Sequence, residues 1–225
     1  MSSPRPHVLL SAAVSLDGYL DDAGPNRLLL SSPEDFDEVD EVRAGVDAIL
    51  VGAGTLRADN PRLLVRSGRR RELRVARGLA ANPVKVTLSR SGELDPAAAF
   101  FTTGDVERLV YLPDPAVGAA TDRLGAVATV VGAGDPLDVT ALLADLAGRG
   151  IGRLLVEGGG AVHTLFLTAD VVDELRLAVA PFFVGDPAAP RLVGAGVFPQ
   201  AVDRRMRLVD ARSLGDTAVL RYLAR

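Results

Sequence analysis

RLLVEGGGAVHTLFL, residues 153–167, decides the fold of this chain. RLLVE is a short apolar run of strand length closed by a carboxylate, Glu157. Gly158, Gly159 and Gly160 interrupt it, and AVHTLFL opens a helix. A strand buried on both faces that hands over to a helix belongs to a crossover connection, and crossovers join parallel strands. One glycine would make the turn. Three indicate that something comes very close to the backbone there.

The same unit recurs along the chain. HVLLSAAVS (7–15), DAILVGAG (47–54), PVKVTLS (83–89), RLVYLP (108–113), AVATVVG (126–132) and VDELRLAVAP (172–181) read as further strands. Between them lie helix signals. Ser32 is the candidate N-cap before Pro33, with acids in the first turn, and DVTALLADLAGRG (138–150) has helical apolar spacing and a glycine stop. The end differs: RMRLVDA and TAVLRYLA alternate in polarity on either side of RSLGD, the pattern of an antiparallel hairpin. The prediction is an α/β fold, a mostly parallel central sheet flanked by helices on both faces, with a C-terminal antiparallel hairpin. No linker or repeat divides it, so one domain is expected over 1–225.

Composition narrows the function. The 225 residues are 48% hydrophobic and 24% charged, enough for a well-buried core. The longest apolar runs are too short to cross a bilayer, and the N-terminal one has strand length and leads into a polar turn rather than a signal-peptide cleavage site. No cysteine rules out thiolate zinc and fits the cytoplasm. With only His7 and His163, a multi-histidine metal site is nearly excluded and no metal is expected. A net charge of −4 argues against general nucleic-acid binding. The Arg-rich stretch 65–78 carries no interleaved aromatics and is read as a solvated loop and helix.

In open parallel sheets ligands bind beyond the carboxyl ends of the strands. Two turns there carry suitable chemistry, VGAGT (51–55) and VEGGGAVHT (156–164). Each is followed by a helix whose first N–H groups suit a phosphate. Neither fits G-x-G-x-x-G, because Arg57 and His163 stand where the third glycine belongs. Tight strand–helix packing explains such glycines almost as well as a ligand does. For Glu157 a salt bridge at the sheet rim and a functional carboxylate stand equal. For His163, in the first turn of a helix, capping or packing is the default. Thr55 as a cap and Asp59, Asn60 and Pro61 as turn chemistry account for those residues singly. Asp59, Arg62 and Arg66 together, just after a glycine turn, point instead to an enzyme handling a phosphate-bearing ligand.

SLDGYL (15–20), RLLLSSPED (27–35), VRAGVDAILVGAGTLRADNPRLLVR (42–66), VKVTLSRSGELDP (84–96), LLVEGGGAVHTLFL (154–167) and VDELRLAVAPFFVG (172–185) occur in this order. Taken together they resemble the riboflavin-biosynthesis pyrimidine reductase family, the reductase domain of bacterial deaminase-reductases, with a dihydrofolate-reductase-like fold. The resemblance covers nearly the whole chain, and the long middle motif is its most specific part. It implies reduction of the ribose of 5-amino-6-(5-phosphoribosylamino)uracil to a ribityl chain with NADPH, by a homodimer. It places Thr55 and Asp59 near the nicotinamide, and Ser89 and Arg90 near the adenosine 2′-phosphate. Gly158, Gly159, Gly160, Ala161, Val162, His163, Thr164 and Leu165 fall around the cofactor pyrophosphate. Arg43, Leu63, Arg66 and Glu157 would face a phosphoribosylaminopyrimidine substrate. Asp59 and Glu157 are the candidates for proton delivery.

The chain also departs from that family. It has no cysteine, so the zinc deamination of the bifunctional members is not expected. Asn60 stands where many members have a second aspartate, and Arg27 and Leu29 replace a small polar residue and an aromatic. The runner-up activity is a dihydrofolate reductase-like reaction on a pterin. A non-catalytic nucleotide-binding protein is the alternative from another class.

Overall fold

The computed structural model describes residues 5–24 and 28–225, so Arg27 lies outside the described residues. The chain forms two compact units. Of the described residues, one contains Arg5, Pro6 and Asp40–Leu155; the other contains His7–Val39 and Val156–Arg225.

The first unit is a parallel sheet wound with helices. Strand β2 (Ala48–Gly52) pairs with β3 (Val84–Leu88), β3 with β4 (Arg108–Leu112), and β4 with β5 (Thr129–Gly132), all parallel. All five residues of β2 are buried, and Leu109, Val110, Tyr111 and Leu112 of β4 are fully so. Burial on both faces explains why these segments read as continuous apolar runs rather than alternating ones. Helices α2 (Ala53–Asp59), α3 (Gly68–Ala76), α4 (Ala99–Thr102), α5 (Val117–Leu124) and α6 (Val139–Gly148) fill the connections. Asp138 caps α6 by accepting from the Thr140 N–H, and Gly150 takes φ 84° just beyond its end, as the glycine stop implied.

Two cations of this unit are buried, one of them in the stretch that reads as solvated. Arg74 of α3 is buried, donating to the carbonyls of Ala44, Val46 and Ala80, so the basic stretch is not wholly a solvated face. Lys85, the single lysine of the chain, has no exposure. Its ammonium donates to the carbonyls of Phe100 (3.0 Å), within α4, and Thr103 (2.7 Å), just past its end. Burial, reinforced by the nearby Arg108, pushes the Lys85 pKa down to about 8.

In the second unit β1 (His7–Ser15) pairs parallel with β7 (Glu174–Ala180), followed by β9 (Thr217–Leu223) and β8 (Arg207–Leu214), both antiparallel. The hairpin is present as expected, but its turn is tighter. Arg212–Leu214 stay in β8, and only Gly215 and Asp216 make the connection, with Gly215 at φ 57°. A glycine first in a two-residue loop matches the strand twist. The sequence hid this because β8 is largely exposed and its last residues look like turn residues. Helix α1 (Pro33–Ala44) begins as read, with the Ser32 hydroxyl accepting from the Asp35 N–H. Strand β6 (Arg153–Gly158) runs from the first unit into the second and leads to α7 (Gly160–Thr168). The α/β class, the predominance of parallel pairs and the C-terminal hairpin all follow the prediction. Among the described residues no helix is long and apolar enough to cross a membrane, and no cluster of His, Cys, Asp and Glu suits a metal ion.

Candidate active site

The first unit gathers one group of the predicted site residues at the carboxyl ends of its strands. Gly52 is in register with Leu88, and Leu88 with Tyr111, so the turn after β2 and the turn after β3 share an edge. Gly54, in the first turn of α2, is exposed, and a Cβ built on it would have no atom within 4 Å. Thr55 and Asp59 are half-buried and four residues apart on α2, hence on one face. The helix stops at Asn60, which adopts the left-handed conformation (φ 43°) while its side chain accepts from the Ala99 N–H at 2.7 Å. After β3, Ser89 is buried and its hydroxyl accepts from the Gly92 N–H, shaping the turn from which the exposed Arg90 projects.

The segment beyond Asn60 is unusually constrained. Leu63 is buried with φ 47°, a conformation that side chains other than those of Gly, Asn and Asp rarely adopt. Side chains hold the residues that follow. Arg43 donates to the Leu64 carbonyl (3.3 Å), and Asn82 accepts from the Val65 N–H (2.9 Å). Arg71 donates to the carbonyls of both Val65 and Arg66, each at 2.8 Å. Buried Asp40 accepts from the N–H groups of Arg66 and Ser67 and from the Arg70 guanidinium. Burial pushes the Asp40 carboxyl up, but those two N–H groups and the Arg70 charge outweigh it and hold the group below the usual carboxylate range. Arg43, Leu63 and Arg66, predicted to face the same ligand, are thus brought together.

The second unit carries the remaining residues. Glu157 is half-buried near the end of β6. Gly159 takes φ 84° and ψ 136°, a region essentially closed to residues with a Cβ. Its carbonyl accepts from the N–H groups of Val162 and His163, leaving those of Gly160 and Ala161 without an acceptor inside the helix. Ala161 is exposed, while Val162 is buried. Gly160 has a different reason. A Cβ there would come under 3.0 Å from the Arg191 carbonyl oxygen, so the close approach is made by the chain itself.

That carbonyl belongs to a strap laid along α7. The His163 ring, with no exposure, donates from Nδ1 to the Leu192 carbonyl, and the Thr164 hydroxyl accepts from the Gly194 N–H. Tyr19 fastens the other side, its hydroxyl meeting the Arg191 guanidinium (2.7 Å), which also lies over its ring. Burial pushes the His163 pKa down to about 4 against the opposing Leu192 hydrogen bond. The packing role taken as the default for His163 is what its surroundings show.

Sequence reading missed Asp40, Arg71, Asn82 and the Tyr19–Arg191 pair. One signal was available for the first: Asp40 precedes Arg43 by three residues on α1, which puts both on one face. It was masked by the number of acids in that helix.

Comparison with known proteins agrees with the motifs. The model of the RibD C-terminal domain family matches residues 6–220. A protein of Archaeoglobus fulgidus named 2,5-diamino-6-ribosylamino-4(3H)-pyrimidinone 5′-phosphate reductase is 36% identical over 187 residues, covering 83% of this chain and 85% of its own. Its namesake in Methanothermobacter thermautotrophicus is 34% identical over 220 residues, covering 97% and 98%. Among solved structures, a pyrimidine reductase-like protein of Corynebacterium diphtheriae shares the fold with a TM-score of 0.83 at 24% identity, over 98% of this chain and 92% of that one. A Thermotoga maritima deaminase/reductase gives 0.79 at 25% identity over 98% of this chain, which spans 57% of that longer protein. This chain belongs to the RibD C-terminal domain family.

Proposed function

We propose that this protein reduces the ribose of a ribosylaminopyrimidine 5′-phosphate to its ribityl form in riboflavin biosynthesis, with NADPH as reductant. The observation that carries the proposal is a match over 97% of the chain to a relative named for that reduction. The first substrate to test is therefore 2,5-diamino-6-ribosylamino-4(3H)-pyrimidinone 5′-phosphate, and the second is the deaminated uracil.

A nicotinamide cofactor, when bound, would supply the hydride that C1′ of the ring-opened imine accepts. The chain's own residues do the rest. Gly159, Gly160 and Ala161 would hold the pyrophosphate. The fit rests on the first-turn N–H groups of Gly160 and Ala161, which have no acceptor within α7, and on the exposure of Ala161. Thr55 and Asp59 would stand at the nicotinamide end, where Gly54 leaves open space. The exposed Arg90 beside Ser89 favours a 2′-phosphate and hence NADPH over NADH. Arg43 and Arg66 would take the charged end of the substrate and Leu63 its apolar side. Asp59 or Glu157 would deliver the proton that the imine nitrogen takes up as C1′ is reduced. We place the enzyme in the cytoplasm as a homodimer, with residues 1–225 acting as one reductase.

The test is cofactor oxidation, followed by its near-ultraviolet absorbance, with both pyrimidines and with dihydrofolate, each against NADPH and NADH. Turnover of a phosphoribosyl compound, lost in Glu157→Gln or Asp59→Asn, supports the proposal. Turnover of dihydrofolate alone moves the assignment to a pterin reductase. Cofactor binding without turnover of any of the three removes the substrate assignment.

A further inference from the structure

We infer that Asp40 is a positioning residue for recognition of the substrate phosphate, acting through Arg66. The inference rests on the proposed substrate-facing role of Arg66. It concerns what makes that arginine selective.

Arg66 is exposed, with its side chain 54% accessible. A long cation on an ordinary surface loop samples many positions and recognises a phosphate only weakly. Here the loop is not ordinary. The carbonyl of Leu64, the N–H and carbonyl of Val65, the N–H and carbonyl of Arg66 and the N–H of Ser67 are all satisfied by side chains. Asp40 holds the peptides on both sides of the Arg66 Cα, since it accepts the N–H of Arg66 with one oxygen and that of Ser67 with the other. Its first oxygen also lies 3.9 Å from Nε of Arg66, near the base of the guanidinium. The acid is itself fixed by burial and by the Arg70 guanidinium at 3.0 Å.

The preceding backbone shows that this shape is imposed. Leu63 is held at φ 47° while its side chain is buried, so the segment does not follow local preference. Four side chains drawn from α1, α3 and the loop before β3 converge on it. Such an arrangement fixes the origin and direction of the Arg66 side chain, which is the requirement for a cation that must meet a phosphate in one geometry. Asp40 therefore acts on phosphate affinity and discrimination rather than on the chemical step.

The experiment compares the ribosylaminopyrimidine with and without its 5′-phosphate in steady-state kinetics, for the parent, Asp40→Asn, Arg66→Gln and Arg71→Gln. Thermal melting confirms that each variant is folded at the assay temperature. Asp40→Asn is expected to raise KM for the phosphorylated substrate about tenfold. Its kcat should stay within about twofold, and kcat/KM for the dephosphorylated compound should be unchanged. Equal losses with both compounds would mean a purely structural role and overturn the inference. If Arg66→Gln removes phosphate discrimination and Asp40→Asn does not, positioning by Asp40 is refuted while the reading of Arg66 survives. If Arg66→Gln leaves discrimination intact, that reading falls and the inference with it. Should Asp40→Asn fail to fold, Arg71→Gln reads the same platform from its carbonyl side. A phosphate-specific KM increase there supports the inference, and equal losses overturn it.

Discussion

Replacing Gly160 by alanine tests whether the third glycine of the turn answers to the protein or to a ligand. A Cβ at 160 would lie under 3.0 Å from the Arg191 carbonyl oxygen, whereas ordinary contact begins at 3.4 Å. The methyl is fixed rigidly by its own backbone and its partner is a backbone oxygen, so no rotamer change relieves the clash, and the strap must retreat by roughly half an ångström or more. That strap is tied at several points. Its Pro190 carbonyl accepts from Leu20 (2.7 Å), its Leu192 N–H reaches Gly18 (3.0 Å), and its Gly194 N–H reaches Thr164 (2.8 Å). Overpacking of this kind costs about 1–3 kcal/mol. The better helix propensity of alanine recovers less than about 1 kcal/mol at the first helical position. A net loss of about 1–2 kcal/mol corresponds to a fall in Tm of roughly 2–8 °C for a chain of this size. The assay is thermal unfolding by circular dichroism without ligands. A Gly160→Ala protein that melts at or above the parent temperature refutes the steric reasoning and returns Gly160 to the ligand.

Gly54→Ala should behave in the opposite way, because a methyl there meets nothing within 4 Å and lies in a helix. Stability should hold or rise by up to about 1 kcal/mol, while cofactor affinity, measured by calorimetry, falls if the open space serves the nicotinamide end. His163 should make the protein acid-sensitive. Its folded pKa is about 4 against 6.5 in the unfolded chain. Between these values the unfolded state binds the extra proton, so stability is full above pH 6.5 and declines as the pH falls to about 4, by about 3 kcal/mol in total. His163→Gln retains a donor for the Leu192 carbonyl but does not titrate. Its urea-unfolding free energy should be nearly flat from pH 6.5 down to about 4.5, above the range of the lowered carboxylates. A slope equal to that of the parent would show that another group is responsible.

The strands were legible because burial on both faces leaves an unbroken apolar run, as in AILVG and RLVYL. The polar interior was not. Helix α1 carries so many acids that it reads as solvated, yet Asp35 and Asp40 are among its most buried residues. Asp35 meets the buried Arg176 of β7. Asp40 meets Arg70 and the 66–67 backbone. These partners lie 26 to 141 positions away, and periodicity reports only neighbours along the chain. Arg74 and Lys85 were obscure for the same reason, since their acceptors are carbonyls at or near helix and strand termini that no side-chain pattern marks. The triple glycine reads as a place where something approaches the backbone closely. At Gly160 the approaching group is the Arg191 carbonyl, which lies 31 residues further on and left no trace in the motif.

The measurement that tests the account most directly is transfer of label from NADPH deuterated at nicotinamide C4. It uses 2,5-diamino-6-ribosylamino-4(3H)-pyrimidinone 5′-phosphate as acceptor, with the product read by mass spectrometry and NMR. The account predicts a ribityl product carrying deuterium at C1′, formed by the parent and strongly reduced in Glu157→Gln or Asp59→Asn. Absence of label from C1′ with substrate and cofactor both bound, or transfer only to a pterin, would contradict it.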